Sequence, residues 1–135
     1  MLTRLRARYH YWLGLAQRSR GNRSGDLAAY EDAIAELTQA LMLDPALVSA
    51  YFARGQVYWR ELSDYGRAVR DFGEALTLNP NHAGAVLNRG LASVYGQLRT
   101  PAERIADFER YLELGTNGYW RSEAHNQIKR IQDGA

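Results

Sequence analysis

Residues 50–55 read Ala-Tyr-Phe-Ala-Arg-Gly, and residues 85–90 read Ala-Val-Leu-Asn-Arg-Gly. The two segments align at an offset of 35 residues, and the Arg-Gly pair recurs in place. The same offset aligns residues 41–45, Leu-Met-Leu-Asp-Pro, with residues 76–80, Leu-Thr-Leu-Asn-Pro. Segments that repeat at a constant offset indicate an internal structural repeat.

A third copy follows the second at an offset of 36, where Asp71 and Phe72 match Asp107 and Phe108. Within each unit the apolar spacing is helical, since Ala68 and Phe72 lie at i and i+4, and the same pattern continues along the unit. The sequence therefore predicts two amphipathic helices in each unit.

Local signals place the ends of these helices. Ser63 and Asp64 precede one helix, and Thr100 with Glu103 predicts a capping box with Pro101 at the first helical position. The predicted helices lie near residues 2–19, 27–43, 46–61, 65–78, 82–97, 101–114 and 118–132. They make three hairpins and one remaining helix.

The order of small, aromatic, Gly and Ala positions, closed by Asn-Pro or Asp-Pro, resembles the tetratricopeptide repeat (TPR). The middle unit, Val48 to Pro80, matches best, with one residue inserted near Leu62 and Ser63 relative to the usual 34. The positions that match the family's helix-packing residues are Tyr51, Gly55, Tyr58, Ala68, Phe72, Ala75, Pro80 and Gly90.

The resemblance implies an all-α fold, a right-handed α-solenoid of three TPR helix hairpins plus a C-terminal capping helix. It also implies one domain over residues 1–135. Its parts are a first repeat over about 3–47 with an extended loop at 19–25, a second over about 48–82, a third over about 83–116, and the capping helix over about 118–132. Leu13 and Gly14 serve as the small-residue contact of the atypical first repeat, and Trp120 belongs to the cap.

Two charged pairs are expected between the helices of a repeat. Arg54 and Arg89 directly precede the contact glycines, and Asp71 and Asp107 directly precede the aromatic residue of each second helix. An inward Arg needs a partner because an unpaired buried charge is costly. We therefore predict the structural ion pairs Arg54–Asp71 and Arg89–Asp107.

Composition and motifs give little sign of chemistry. The chain has 135 residues and a net charge of +2. It contains no Cys, and this absence excludes disulfide scaffolds and Cys-based zinc sites. The three histidines, His10, His82 and His125, fall in different units, and residues 21–25, Gly-Asn-Arg-Ser-Gly, lack the ending of a phosphate loop and are predicted to be a flexible hairpin loop. We expect no enzyme, no metal site and no cofactor.

The remaining candidate for function is the surface. In the family the first helix of each unit lines a concave face, and here that face carries aromatic and apolar residues typical of binding surfaces. The predicted groove residues are Tyr11, Leu15, Phe52, Gln56, Trp59, Leu87, Asn88, Leu91 and Tyr95. Packing between repeats, or coverage by the last helix, explains the same residues equally well.

These observations favour a protein-protein interaction module, a TPR adaptor or scaffold that binds a peptide segment or partner protein in its concave groove. Chaperone-binding members hold a C-terminal carboxylate with Lys, Asn and Arg. Here Asn88 falls at one such place, but Phe52, Gln56 and Leu87 occupy others, so a chaperone role is disfavoured. A groove of this kind is expected to prefer an apolar or aromatic segment.

Two alternatives remain open. Residues 1–25 contain six Arg and no acidic residue, which is the pattern of a binder of nucleic acid or of an anionic surface, although a solvated basic end is more common. Self-association into a homodimer is the other alternative. The sequence shows no signal peptide or membrane span, so we expect a cytoplasmic protein.

Overall fold

A computed structural model describes residues 1–134, which form helices and connecting turns without a β-strand. The helices are α1 (Leu2–Ser24), α2 (Leu27–Leu43), α3 (Val48–Gln56), α4 (Tyr65–Leu78), α5 (Ala83–Gly96), α6 (Pro101–Leu114) and α7 (Gly118–Gln132). Each helix packs chiefly on its neighbours along the chain. The prediction of an all-α helical-repeat solenoid is confirmed.

Local capping signals act as the sequence predicts. The Asp64 side chain accepts a hydrogen bond from the backbone N–H of Arg67 at the start of α4. At the start of α6, Thr100 and Glu103 form a reciprocal capping box, and Pro101 occupies the first turn. Because these bonds satisfy backbone donors that no helical turn can satisfy, they fix where the helices begin.

The predicted loop over residues 19–25 is wrong, because α1 remains helical to Ser24. The helix ends only at Gly25, whose φ of 69° is left-handed and whose N–H bonds to the Gly21 carbonyl. Gly21 is buried, and a Cβ there would lie 2.7 Å from the Tyr30 ring. Its absent side chain thus admits the aromatic ring of α2, and Gly21 belongs to a helix contact instead of a loop.

One further turn departs from the expected helices. Residues Val57–Glu61 continue α3 as a π-helical turn, in which the N–H of Leu62 reaches back to the carbonyl of Val57. A π turn holds one extra residue without breaking the helix. The residue inserted into the middle unit is therefore absorbed in this turn, just before the position where the sequence located it.

The core is continuous along the stack. Phe72 and Phe108 are fully buried and contact the first helices of their units at Gly55 and Gly90, where an added Cβ would lie 2.7 Å and 3.0 Å from the rings. Leu37 takes the same place in the first hairpin, against Gly14. A large side chain of each second helix therefore fills the space that a glycine leaves in the first.

Both expected Arg–Asp pairs are formed as two-point contacts. Arg54 Nε and Nη2 each lie 2.8 Å from Asp71 oxygens, and Arg89 contacts Asp107 at 3.0 Å and 2.7 Å. Each aspartate is only 3% exposed. Burial raises the pKa of the Asp71 carboxyl, and the Arg54 guanidinium opposes this rise by donating to the carboxylate. The pairs join the two helices of a unit below the surface.

Arg54 also connects repeats, since its Nη1 donates to Thr38 Oγ1 of the preceding α2 at 3.0 Å. In the first hairpin, Glu36 precedes Leu37 as Asp71 precedes Phe72, and its partner is His10, with Nδ1 and Oε2 2.6 Å apart. The 35-residue offset between Glu36 and Asp71 was the signal for this third pair.

The variant Asp71→Ala should lower the free energy of unfolding by about 3 kcal/mol, since it leaves the Arg54 guanidinium between the helices without a carboxylate to neutralise its charge. Asp32→Ala is the matched control, because Asp32 pairs with Arg20 in an exposed bridge whose loss should cost less than about 1 kcal/mol. Urea unfolding of both variants measures the difference. Equal losses would contradict the structural role of the buried pair.

Replacing Gly21 by Ala should destabilise the protein by about 1–3 kcal/mol, because the new methyl group would meet the buried Tyr30 ring. The control is Gly73→Ala in the middle of α4, where nothing lies within 4 Å of an added Cβ. That change should stabilise by about 0.5–1 kcal/mol through helix propensity. If Gly21→Ala also stabilises, α1 does not pack against α2 at this turn.

Candidate functional site

A pocket of about 370 Å³ opens between the odd-numbered helices α3, α5 and α7. Its walls come from α3 and the π turn on one side, from α5 at the base, and from the end of α6 with the start of α7 on the other. The lining residues are Gln56, Arg60, Ala83, Gly84, Leu87, Asn88, Tyr111, Leu114, Gly115, Thr116, Asn117 and Trp120. We call this site the groove pocket.

Arg60 supplies the positive charge of the groove pocket. Burial lowers the pKa of its guanidinium, the nearby charge of Arg18 lowers this pKa further, and the Glu61 carboxylate opposes the change. Arg18 is itself neutralised, since it bonds to Glu61 and to Gln56. Arg60 makes no ion pair with any residue between 1 and 134, and its guanidinium lies 5.4 Å from the Trp59 ring. The pocket therefore presents a cation that forms no ion pair of its own within the described residues, and the nearest carboxylate, that of Glu61, is bound to Arg18.

A network of hydrogen bonds shapes the base of the groove pocket. Trp59 Nε1 donates to Asn88 Oδ1 at 2.9 Å, and Asn88 Nδ2 donates to the Gly84 carbonyl at 2.7 Å. These bonds tie the π turn to α5 and fix the orientation of the Asn88 amide. The amide retains one N–H and one oxygen lone pair for a further partner.

The structure differs from the predicted groove at several positions. Leu87, Asn88 and Leu91 are buried, at 4–5% exposed, although the sequence placed them facing outward. Leu91 packs in the core cluster that includes Phe108, with Trp120 of α7 against it. The reason is packing: Leu87 and Leu91 belong to one core cluster with side chains of α6 and α7, so they meet these following helices before they meet solvent.

Other predicted groove residues also serve packing within and between repeats. The Phe52 ring lies 6.0 Å from Phe72 and 4.7 Å from His82, measured between centroids. Tyr11 and Leu15 pack against the cluster around Leu37. Gln56, Leu87 and Asn88 are the predicted groove residues that line the groove pocket.

Tyr95 lies at a different surface. It is 62% exposed, and its ring lies between those of Trp59 and Tyr65, at centroid distances of 5.7 Å and 6.4 Å. It borders a second pocket of about 500 Å³ that Arg104 and Arg130 also line. The structure therefore does not bring Tyr95 together with the groove pocket.

Sequence reasoning missed Arg60 and the second role of Trp120. Arg60 follows Gln56 by four residues and so shares its helix face, a signal that the sequence contained. Trp120 covers the end of the stack and also lines the groove pocket. The loop residues Thr116 and Asn117 carry no pattern that could have marked them.

The described part of the chain offers few other sites. Between residues 1 and 134 no group of three or more His, Asp or Glu side chains is arranged to hold a metal ion. Within the same range, every helix is too short or too polar to cross a membrane.

Comparisons with known proteins agree on the type of fold. A family profile described as TPR repeat matches residues 26–61, and one described as Tetratricopeptide repeat matches residues 48–82. Hsp70-Hsp90 organizing protein 3 of Arabidopsis thaliana is 34% identical over 103 residues, which are 74% of this chain. The chain spans 18% of the length of that relative.

Two solved structures are similar over nearly the whole chain. The first TPR of Spaghetti (RPAP3), solved bound to the HSP90 peptide SRMEEVD, is 27% identical and has a TM-score of 0.71, with 92% of this chain and 94% of that one covered. The Arabidopsis OM64 TPR domain is 22% identical and has a TM-score of 0.79, with 98% and 99% covered. The second likeness concerns the fold alone.

The variant His82→Asn should flatten the dependence of stability on pH between about pH 7.5 and about pH 5.5. His82 Nδ1 caps α5 by accepting from the N–H of Ala85, and burial lowers the pKa of the imidazole below its ordinary value of about 6.5. As the pH falls through about 6.5, the unfolded chain binds the proton first, so the native protein loses stability.

Asparagine also caps helices but does not titrate, and His10 and His125 are present in both proteins. Their contributions therefore cancel when urea unfolding of the two proteins is compared at both pH values. The same loss of stability on acidification in both proteins would show that His82 is not the responsible group.

Proposed function

The chain belongs to the tetratricopeptide repeat family, and from this premise we propose that it is a non-catalytic interaction module that binds a peptide segment of a partner protein in the groove pocket. The observation that carries this proposal is the Arg60 guanidinium, which forms no ion pair within the described residues and stands beside apolar surface. A pocket of this composition orients a ligand through few polar contacts and gains affinity from buried apolar area.

The chemistry of the pocket selects a class of segment. A carboxylate that reaches Arg60 would form a charge-assisted hydrogen bond, which is stronger than a neutral one. An apolar side chain next to it would contact Leu87 and Trp120. An acidic segment that also carries an apolar residue therefore fits best, and the peptide SRMEEVD bound by the similar Spaghetti domain has both features.

This ligand class revises the expectation from sequence in one respect. The positions compared with those of carboxylate-binding members are Phe52, Gln56, Leu87 and Asn88. Arg60 lies outside that set and supplies a cation in the groove. Asn88 at the base and Asn117 on the opposite wall add amide groups. We infer that the groove holds an acidic group with one arginine and amides, in place of a full set of lysine and arginine side chains.

Arg60→Glu should weaken binding of fluorescently labelled SRMEEVD by at least about tenfold, because the variant places a carboxylate opposite the acidic peptide. Lys129→Glu is the control, an equal change of charge at an exposed position in the last turn of α7, away from the groove pocket. Fluorescence anisotropy titrations measure both. The proposal is contradicted if the native chain does not bind the peptide, or if the two variants bind it equally well.

A further inference from the structure

Helix α1 carries four large apolar side chains that are mostly in solvent. Leu2 is 76% exposed, Leu5 59%, Tyr9 61% and Trp12 59%. Their spacing of three, four and three residues places them in one row along the helix, about 15 Å long. We call these four residues the α1 stripe. Exposed apolar patches of this size mark interaction surfaces on soluble domains.

The stripe lies on the side of α1 that faces away from the rest of the molecule. Ala7, Gly14 and Gly21 are buried against α2 and lie seven residues apart, along the opposite side of the helix. The packing of α1 therefore leaves the stripe without a partner among residues 1–134. It makes α1 apolar on two opposite sides, where packing of the hairpin requires only one.

The charge around the α1 stripe is entirely positive. Arg6 and Arg8 flank the row on opposite sides, and Arg4 lies one helical turn before Arg8 on the same side as Arg8. The first acidic residue of the chain is Asp26. Arg18 and Arg20 have carboxylate partners, but Arg4, Arg6 and Arg8 form no ion pair within the described residues. Their charge is free to attract an anionic surface.

We propose that the α1 stripe docks on an anionic lipid bilayer, with α1 lying in the plane of the interface. The leucines enter the boundary of the acyl region, Tyr9 and Trp12 lie at headgroup level, and the flanking guanidiniums bind lipid phosphates. A convex row with arginines on both sides matches a planar, fluid surface, which needs no complementary groove.

Other occupants fit the same observations less well. Nucleic acid would attract the arginines, but its phosphates gain nothing from the exposed leucines. A second copy of the chain would bring two α1 helices together, each with Arg4, Arg6 and Arg8 unpaired beside the stripe and no carboxylate in the helix. The bilayer uses both the apolar row and the charge. It also leaves the groove pocket open, because the pocket lies between α3, α5 and α7.

Vesicle co-sedimentation of the full chain tests the proposal, using vesicles of phosphatidylcholine alone and of phosphatidylcholine with about one third phosphatidylserine. The native chain should bind the anionic vesicles at least about tenfold better than the neutral ones, and this binding should weaken as salt screens the arginines. Leu5→Ser with Trp12→Ser should reduce binding to the anionic vesicles by at least about tenfold.

The control is Met42→Ser with Leu78→Ser, which removes two exposed apolar side chains from α2 and α4 and should leave binding unchanged. Arg6→Gln with Arg8→Gln should remove most of the preference for anionic vesicles. Circular dichroism checks that each variant is folded, and Leu2→Ser with Leu5→Ser replaces the first variant if that one unfolds. Arg60→Glu should bind vesicles as the native chain does, which separates this proposal from peptide binding.

Three results would overturn the proposal. One is failure of the native chain to sediment with anionic vesicles. Another is binding to a DNA duplex that the arginine variant loses and the Leu5 and Trp12 variant keeps, which would indicate a nucleic-acid surface. The last is a dimer in light scattering that disappears in the Leu5 and Trp12 variant, which would show that a second copy covers the stripe.

Discussion

The architecture depends on one contact that recurs in every hairpin, in which a glycine of the first helix leaves room for a large side chain of the second. Gly55 with Phe72 and Gly90 with Phe108 are the clearest cases. Because the rings occupy the space of absent side chains, the helix axes come close together and the pair becomes one rigid layer. Buried Arg–Asp pairs can form only because this approach brings residues such as Arg54 and Asp71 within reach.

The same close packing determines which inner residues remain available to a ligand. Leu91, near the middle of α5, packs against side chains of α6 and α7 and is therefore not available to a ligand. Side chains in the π turn and at the start of α7 lie at the edge of this packed region, and Arg60 and Trp120 there line the groove pocket. The π turn thus has a second effect besides absorbing one residue, because it also carries the Arg60 that lines the groove pocket.

Sequence patterns were sufficient for the helices because their ends depend on local chemistry, as at Thr100 and Asp64. They were insufficient at Gly21, where a glycine beside Asn and Ser suggests a loop but the Tyr30 ring on another helix decides the outcome. The prediction of the groove failed for the same reason. The 3.6-residue period gives the side of the helix on which Leu87 lies, but it does not give the distance to the next helix. What the sequence lacked was how closely one helix packs on another, both within a repeat at Gly21 and across α5, α6 and α7 at Leu87.

The asymmetry of charge along the chain acquires a physical meaning in this arrangement. Arg18 and Arg20 are used within the fold, in bonds to Glu61 and Asp32, so the six arginines of the first 25 residues are not one functional group. The unpaired ones accompany exposed leucines and aromatic residues on the outer side of α1. A helix end that is merely solvated needs only charged side chains. The exposed apolar row of α1 costs free energy in water, and this cost is removed when a partner surface covers the row.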